Sequence, residues 1–293
     1  MSQQYAWPKQ AKLALSIVVN VEEGSEYSVK DGDLGMEPVD ELQVHLRKPI
    51  RNYGNESNYQ YGIKEGGPRI INLLDKYNIP VTWTAAAVCL ERAPYLAEAI
   101  KRRGDETCSH GYRWIHQFRM NEAEEREFIQ KAVTSIESTT GKRPLGWLSR
   151  YLLTPNTRRL LQEEGFLYHM DDYSADEPFW DDVEGSDKQM IIVPYALDSN
   201  DMKMWVAPSY TPEAWLKYAK DTFDTLYAEG AEQTRMMSLG LHLRIIGRPG
   251  RIWALEEFLR YVGRKTDVWF ATRQQIAEYF YNQTAKSEAA TKA

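Results

Sequence analysis

Cysteine is scarce in this chain: Cys89 and Cys108 are the only two in 293 residues. Two cysteines cannot build a disulfide framework or a thiolate zinc site. No apolar run approaches the length of a bilayer span. The run from Leu13 to Val21 is short, stops at Glu22-Glu23-Gly24 and lacks the layout of a signal peptide. No long basic run occurs, and a net charge of -6 argues against nucleic acid as a main partner. No linker of domain-boundary character interrupts the chain, and α/β barrels run to this length as one domain. A soluble cytoplasmic protein is the expectation these absences leave.

Aromatics, by contrast, are abundant: 12% of the residues, with 18 Tyr and 9 Trp. Such side chains dominate ligand pockets and subunit interfaces, so both are expected. The chain centres on Asp105–His116, DETCSHGYRWIH, where a short strand over 105–109 breaks at Gly111 into His, Arg and aromatic residues. Strand ends followed by loops are where parallel α/β sheets place their chemistry.

Leu13–Val21 reads as a strand buried on both faces. Residues 25–66 carry no clean periodicity and are expected to be a long loop, a cover or an interface arm. Strands are then predicted over 81–87, 105–109, 145–148, 166–170, 190–197, 236–243 and 268–271. Helices are predicted over 68–77, 94–103, 122–138, after Pro155, and over 211–229, 256–262 and 273–282. Residues 284–293, small and polar, read as a disordered tail. Strand and helix alternate about seven times, which fits one (β/α) barrel over residues 1–283. Four strand ends then converge on one face: Glu22/Glu23, Ser109/His110, Asp171/Asp172 and His242.

These strand ends, in this order, resemble the polysaccharide deacetylase (carbohydrate esterase 4, NodB-like) superfamily, whose fold is a distorted (β/α)7 barrel. Glu22-Glu23-Gly24 sits in the place of the family's acidic motif, and His242 in the place of its late histidine. The family's His-x-x-x-His pair is broken, because His110 is followed four residues later by Trp114. An indole cannot coordinate, so the resemblance implies no metal here; zinc would need a rearranged site completed by His116 or Cys108. The segments VEEGSE, YGNESNYQYG, SHGYRW, RPLGW, PNTRRLL with the following EEGFLY, NDMKMW and HLRIIGRPGR are similar to a metal-independent branch of cofactor-independent allantoinases and cyclic imide hydrolases. That branch forms homotetramers.

What the resemblance implies is a hydrolase that opens a cyclic imide or amide at a C–N bond. Glu22 is the expected base for water, with Glu23 as alternate or as the residue fixing the loop. His242 would protonate the leaving nitrogen or stabilise the oxyanion, and His110 would hold the water or the second carbonyl. Arg113, Trp114, Arg150, Asp172 and Arg251 are the candidate substrate contacts; each arginine reads equally as a surface or interface ion pair. Cys108 is either a packed thiol or, with His110 as base, a nucleophile. The turn SRYLLT, with Tyr151, Leu152 and Leu153, stands where the allantoinases carry a shorter Gly- and Arg-containing turn. It favours simple imides such as succinimide and maleimide over allantoin. An allantoinase, an N-deacetylase and a non-catalytic binding barrel are the alternatives.

Overall fold

All nine residues of Leu13–Val21 are buried, and this strand is the axis of the sheet. The computed structural model describes residues 5–41, 44, 48–206 and 209–291. Its strands are β1 (Leu13–Val21), β2 (Thr82–Ala85), β3 (Glu106–Ser109), β4 (Gly146–Trp147), β5 (Tyr168–His169), β6 (Phe179–Asp182), β7 (Gln189–Ile192), β8 (Met236–His242) and β9 (Val268–Phe270). Its helices are α1 (Tyr53–Tyr61), α2 (Gly67–Tyr77), α3 (Ala87–Arg92), α4 (Pro94–Arg103), α5 (Glu122–Thr140), α6 (Thr157–Glu163), α7 (Pro212–Glu229), α8 (Ile252–Val262) and α9 (Arg273–Thr291).

The strand order is β6-β7-β5-β4-β3-β2-β1-β8, with β9 added to the start of β1. Every pairing is parallel except the β6·β7 hairpin. A single parallel bridge, Asn200 to Gly240, carries the chain beyond β7 back to β8 and closes the curve at one point. The result is a distorted (β/α) barrel, as the resemblance implies. Parallel strands need helical crossovers on their outer face, and these helices supply them. α5 opens on a full capping box, with Asn121 accepting from the Glu124 amide and Glu124 accepting from the Asn121 amide. Among the described residues no helix is long and apolar enough to cross a membrane.

Three expectations need correction. Residues 53–66 are not loop: α1 passes through a π-helical stretch, Gly62–Gly66, directly into α2. The periodicity is hidden because α1 buries only Asn55 and Tyr59. Gly62 is there for proximity, since a Cβ would lie 2.7 Å from the Glu23 carboxylate. The tail expected over 284–293 narrows as well, because its described part is helical. α9 runs on to Thr291, and Thr284 is buried and accepts a hydrogen bond from the Trp180 indole; residues 292 and 293 lie outside the described residues. Finally, β6 and α3 fall in stretches read as connections.

The part of 25–50 that is described is anchored inward at Glu37. Glu37, 3% exposed, takes both guanidinium nitrogens of Arg150 at 2.9 and 2.5 Å.

Candidate active site

Side chains alternate along a strand, so Asn20 and Glu22 leave β1 on the same face. Across the ladder Asn20 sits opposite His242, the last residue of β8. Glu22 is thereby wedged between two histidines and an arginine. Its Oε1 lies 3.3 Å from His242 Nε2 and 3.6 Å from His110 Nε2, and its Oε2 accepts from Arg244 Nη1 at 2.8 Å. Behind His242, Asp201 Oδ1 lies 2.6 Å from Nδ1, while Asp201 Oδ2 accepts the amides of His242 and Ile246. The chain Asp201–His242–Glu22–Arg244 is a buried line of alternating charge.

Electrostatics set its protonation. Burial opposes the charge on Glu22, but His242 and then Arg244 outweigh it and hold the carboxylate well below its usual range. Burial likewise disfavours an imidazolium, yet Glu22 and Asp201 push His242 up to about 10. At neutral pH the pair is therefore carboxylate and imidazolium. Glu23 differs in direction: burial raises its pKa. It faces away from the cavity, accepting from the Arg244 and Glu22 amides.

His110 is fixed by two bonds that define its tautomer. Nδ1 lies 2.6 Å from the Leu148 carbonyl, which can only accept, so Nδ1 carries the proton. The Trp114 indole donates to Nε2 at 3.1 Å and fills its lone pair. This bears on the metal of the deacetylase fold. A metal would need that same lone pair, and the carboxylate beside it is already held by Arg244. Among the described residues no group of three or more His, Cys, Asp or Glu is placed to hold a metal ion. The residues present do not fit one. Neither alternative ligand joins them: His116 Nδ1 lies 3.2 Å from the Arg150 carbonyl. Cys108 packs against Met170 in the apolar core, where burial pushes its thiol well up.

Glu22, His110, Trp114, Arg150 and His242 line one cavity of about 260 Å³. Arg150 does so with its guanidinium bound to Glu37 and to the Trp114 carbonyl, and stacked 3.7 Å from the Trp114 ring. The remaining candidates lie off this wall. Arg113 pairs with Asp33, Asp172 holds a turn at Ser174, and Arg251 reaches the Ile245 carbonyl. Sequence reasoning did not single out Asp201 and Arg244. Arg244 stood two residues past His242, a same-face spacing that could have found it; Asp201 arrives on a 3-10 turn with no strand signal. Leu148, Tyr151, Leu197, Met202 and Val206 give the cavity its apolar side, and Asn20, Ser149, Tyr195, Asn200 and Lys203 its polar one.

This fold and strand-end arrangement define a class. The polysaccharide deacetylase family model matches residues 57–167. A Schizosaccharomyces pombe protein named for the same family is 37% identical over 292 residues, covering 93% of this chain and 91% of its own. The chain belongs to the polysaccharide deacetylase family, a family of hydrolases. Within it, the chain is 41% identical to the crystal structure of the PuuE allantoinase, with a TM-score of 0.92, covering 97% of this chain and 95% of that one. A Pseudomonas aeruginosa structure bearing the deacetylase name is also 41% identical, with a TM-score of 0.89 and 95% and 94% coverage.

Proposed function

We propose that the protein is a cyclic imide hydrolase that opens the ring at a C–N bond and works without a metal. The observation that carries this reading is the Trp114-to-His110 hydrogen bond beside an intact Asp201–His242–Glu22 chain. The acid–base groups are kept while the lone pair a metal would use is taken.

Water attacks one imide carbonyl and gives a proton to Glu22. The C–N bond breaks as His242 delivers the Nε2 proton to the ring nitrogen, leaving a half-amide and a carboxylic acid that ionises in water. A low pKa makes Glu22 a weak base, but the two groups are coupled. As His242 gives up its proton, the cation that depresses Glu22 disappears. Glu22 Oε1, 3.3 Å from Nε2, then returns the proton and resets the site. An imide nitrogen departs still conjugated to its second carbonyl, so it needs less help than an ordinary amide nitrogen. A chemistry with an easy leaving group suits a site whose cations are side chains.

The cavity supports small rings. At about 260 Å³ it falls below the range of drug-sized sites, and Leu148 and Tyr151 form an apolar wall. Tyr151 holds φ at 59°, in the left-handed region, at a cost of about 1–2 kcal/mol. The ureido arm of allantoin would lose hydrogen bonds against that wall, at about 1–3 kcal/mol per buried group. A second reading, allantoinase, is favoured by the 41% identity to PuuE over nearly the whole chain. The test is kcat/KM for succinimide or maleimide against allantoin in one buffer. The imides are expected to lead by roughly tens to hundreds of fold; an equal or higher allantoin value assigns the protein as an allantoinase.

A further inference from the structure

Among the described residues, the Tyr195 hydroxyl has no protein acceptor for its proton. Tyr195 lies just past β7, 7% exposed, and lines the cavity together with Glu22 and His242. Its phenol oxygen sits between two amides: Asn20 Nδ2 is 2.9 Å away and Asn200 Nδ2 is 3.0 Å away. The orientation of each amide is settled by a backbone partner. Asn20 Nδ2 also reaches the Leu241 carbonyl at 3.1 Å, and a carbonyl can only accept. Asn200 Oδ1 receives the Met202 amide at 2.9 Å, which turns its Nδ2 toward Tyr195. An amide N–H donates and does not accept, so both bonds run into the phenol oxygen and fill its lone pairs. The phenol proton is left over, and no acceptor for it appears among the described residues.

The surrounding backbone makes room for this arrangement. A Cβ at residue 240 would sit 2.3 Å from the Tyr195 hydroxyl and 2.5 Å from Asn200 Nδ2, so Gly240 is the residue that lets the cluster form. Asn20 is the ladder partner of His242 and stands two residues before Glu22, which sets the phenol beside the acid–base pair. Burial raises the phenol's pKa, and it keeps its proton throughout the working range.

We infer that Tyr195 is a catalytic residue that donates its phenol hydrogen bond to a carbonyl oxygen of the bound ring, as that oxygen gains negative charge during attack by water. Asn20 and Asn200 are positioning residues: by filling both lone pairs they aim the one remaining proton into the cavity and strengthen it as a donor. The inference rests on the ring-opening reading above.

The experiment is steady-state turnover of succinimide by wild-type protein, by Tyr195→Phe, and by protein with 3-fluorotyrosine or 3,5-difluorotyrosine at position 195. Wild-type turnover comes first: its absence overturns the ring-opening reading and the inference with it. With wild-type turnover present, Y195F is expected to lower kcat by roughly 10²–10³, the usual loss for one oxyanion donor, with KM changed far less. A Y195F kcat within about threefold of wild type overturns the inference and leaves the function standing. Because phenylalanine strands two amide donors and can cost folding, the fluorotyrosines decide independently. They keep the shape and acidify the phenol, so kcat should rise or fall systematically with ring acidity while the protein stays neutral at that position. A kcat indifferent to ring acidity assigns Tyr195 a purely structural role.

Discussion

Two buried charged clusters sit in this barrel, and only one of them presents its carboxylate and imidazole to a cavity. At the ends where the strands finish, Glu22, His242, Asp201 and Arg244 form a line that opens on a cavity. In the second cluster Glu106, the first residue of β3, and Arg273, the first residue of α9, are equally buried. There Glu106 accepts from Tyr168 at 2.5 Å, Thr82 at 2.8 Å and the Gln274 amide at 2.9 Å. Arg273 donates to the Val193 and Pro194 carbonyls and to Ser238. Both carboxylate oxygens of Glu106 are filled by protein donors, and neither Glu106 nor Arg273 lines the cavity that holds Glu22, so the cluster ties strands together. The upper cluster leaves Arg244 Nε and Nη2 without hydrogen-bond partners, facing the rings of Tyr59, Trp205 and Trp114. Arg273 Nε is without a partner as well, so incomplete satisfaction does not separate the clusters; what separates them is that Glu22 and His242 line a cavity. The place of the upper cluster matches the general siting of chemistry at the carboxyl ends of barrel strands.

The comparison breaks most visibly at its two glutamates. Glu22→Gln removes the proton acceptor while keeping the shape, and turnover of succinimide should fall by roughly 10²–10⁴ with binding of a ring analogue little changed. Glu106→Gln should do the reverse, costing about 1–3 kcal/mol in urea unfolding while the folded fraction turns over normally. A folded E106Q protein that has lost turnover would falsify the division.

The next effect sharpens the upper cluster. Activity needs His242 charged and Glu22 ionised, so kcat/KM should hold from acid pH up to about 10, where His242 loses its proton, and decline above it. Asp201→Asn removes one of the two carboxylates that raise His242, so the alkaline limb should move to lower pH. A limb that stays in place assigns it to another group.

A small effect on turnover is expected at the Glu37–Arg150 pair. Glu37→Gln leaves the Arg150 guanidinium buried with its partner neutralised, at about 3–5 kcal/mol of stability. Since Arg150 spends its hydrogen bonds on Glu37 and Trp114, turnover per folded molecule should change much less than in E22Q. Equal losses in the two variants would make Arg150 a substrate contact.

How much of this was legible depended on whether a residue's role lay in strand periodicity. Glu22 and His242 end buried apolar runs and His110 ends a short buried strand, and their convergence follows from the barrel alone. Asp201 was not legible, because it is delivered by the single Asn200–Gly240 bridge and a 3-10 turn, neither of which leaves a hydrophobic pattern. The helix over 53–61 hid for the opposite reason: it buries an asparagine and a tyrosine, and its following glycines serve close backbone approach. Arg113, Arg150 and Arg251 looked alike as letters. Only the fold separates the one that lines the cavity from the two that do not.

The central claim of the proposed function is that the site works without a metal, with His242 and Arg244 as its cations. It is tested most directly by measuring succinimide turnover before and after exhaustive chelation, with the metal content of the same samples determined. The account predicts full turnover by metal-free protein. Stoichiometric zinc in the active protein, with turnover lost on its removal and restored on its return, would contradict it.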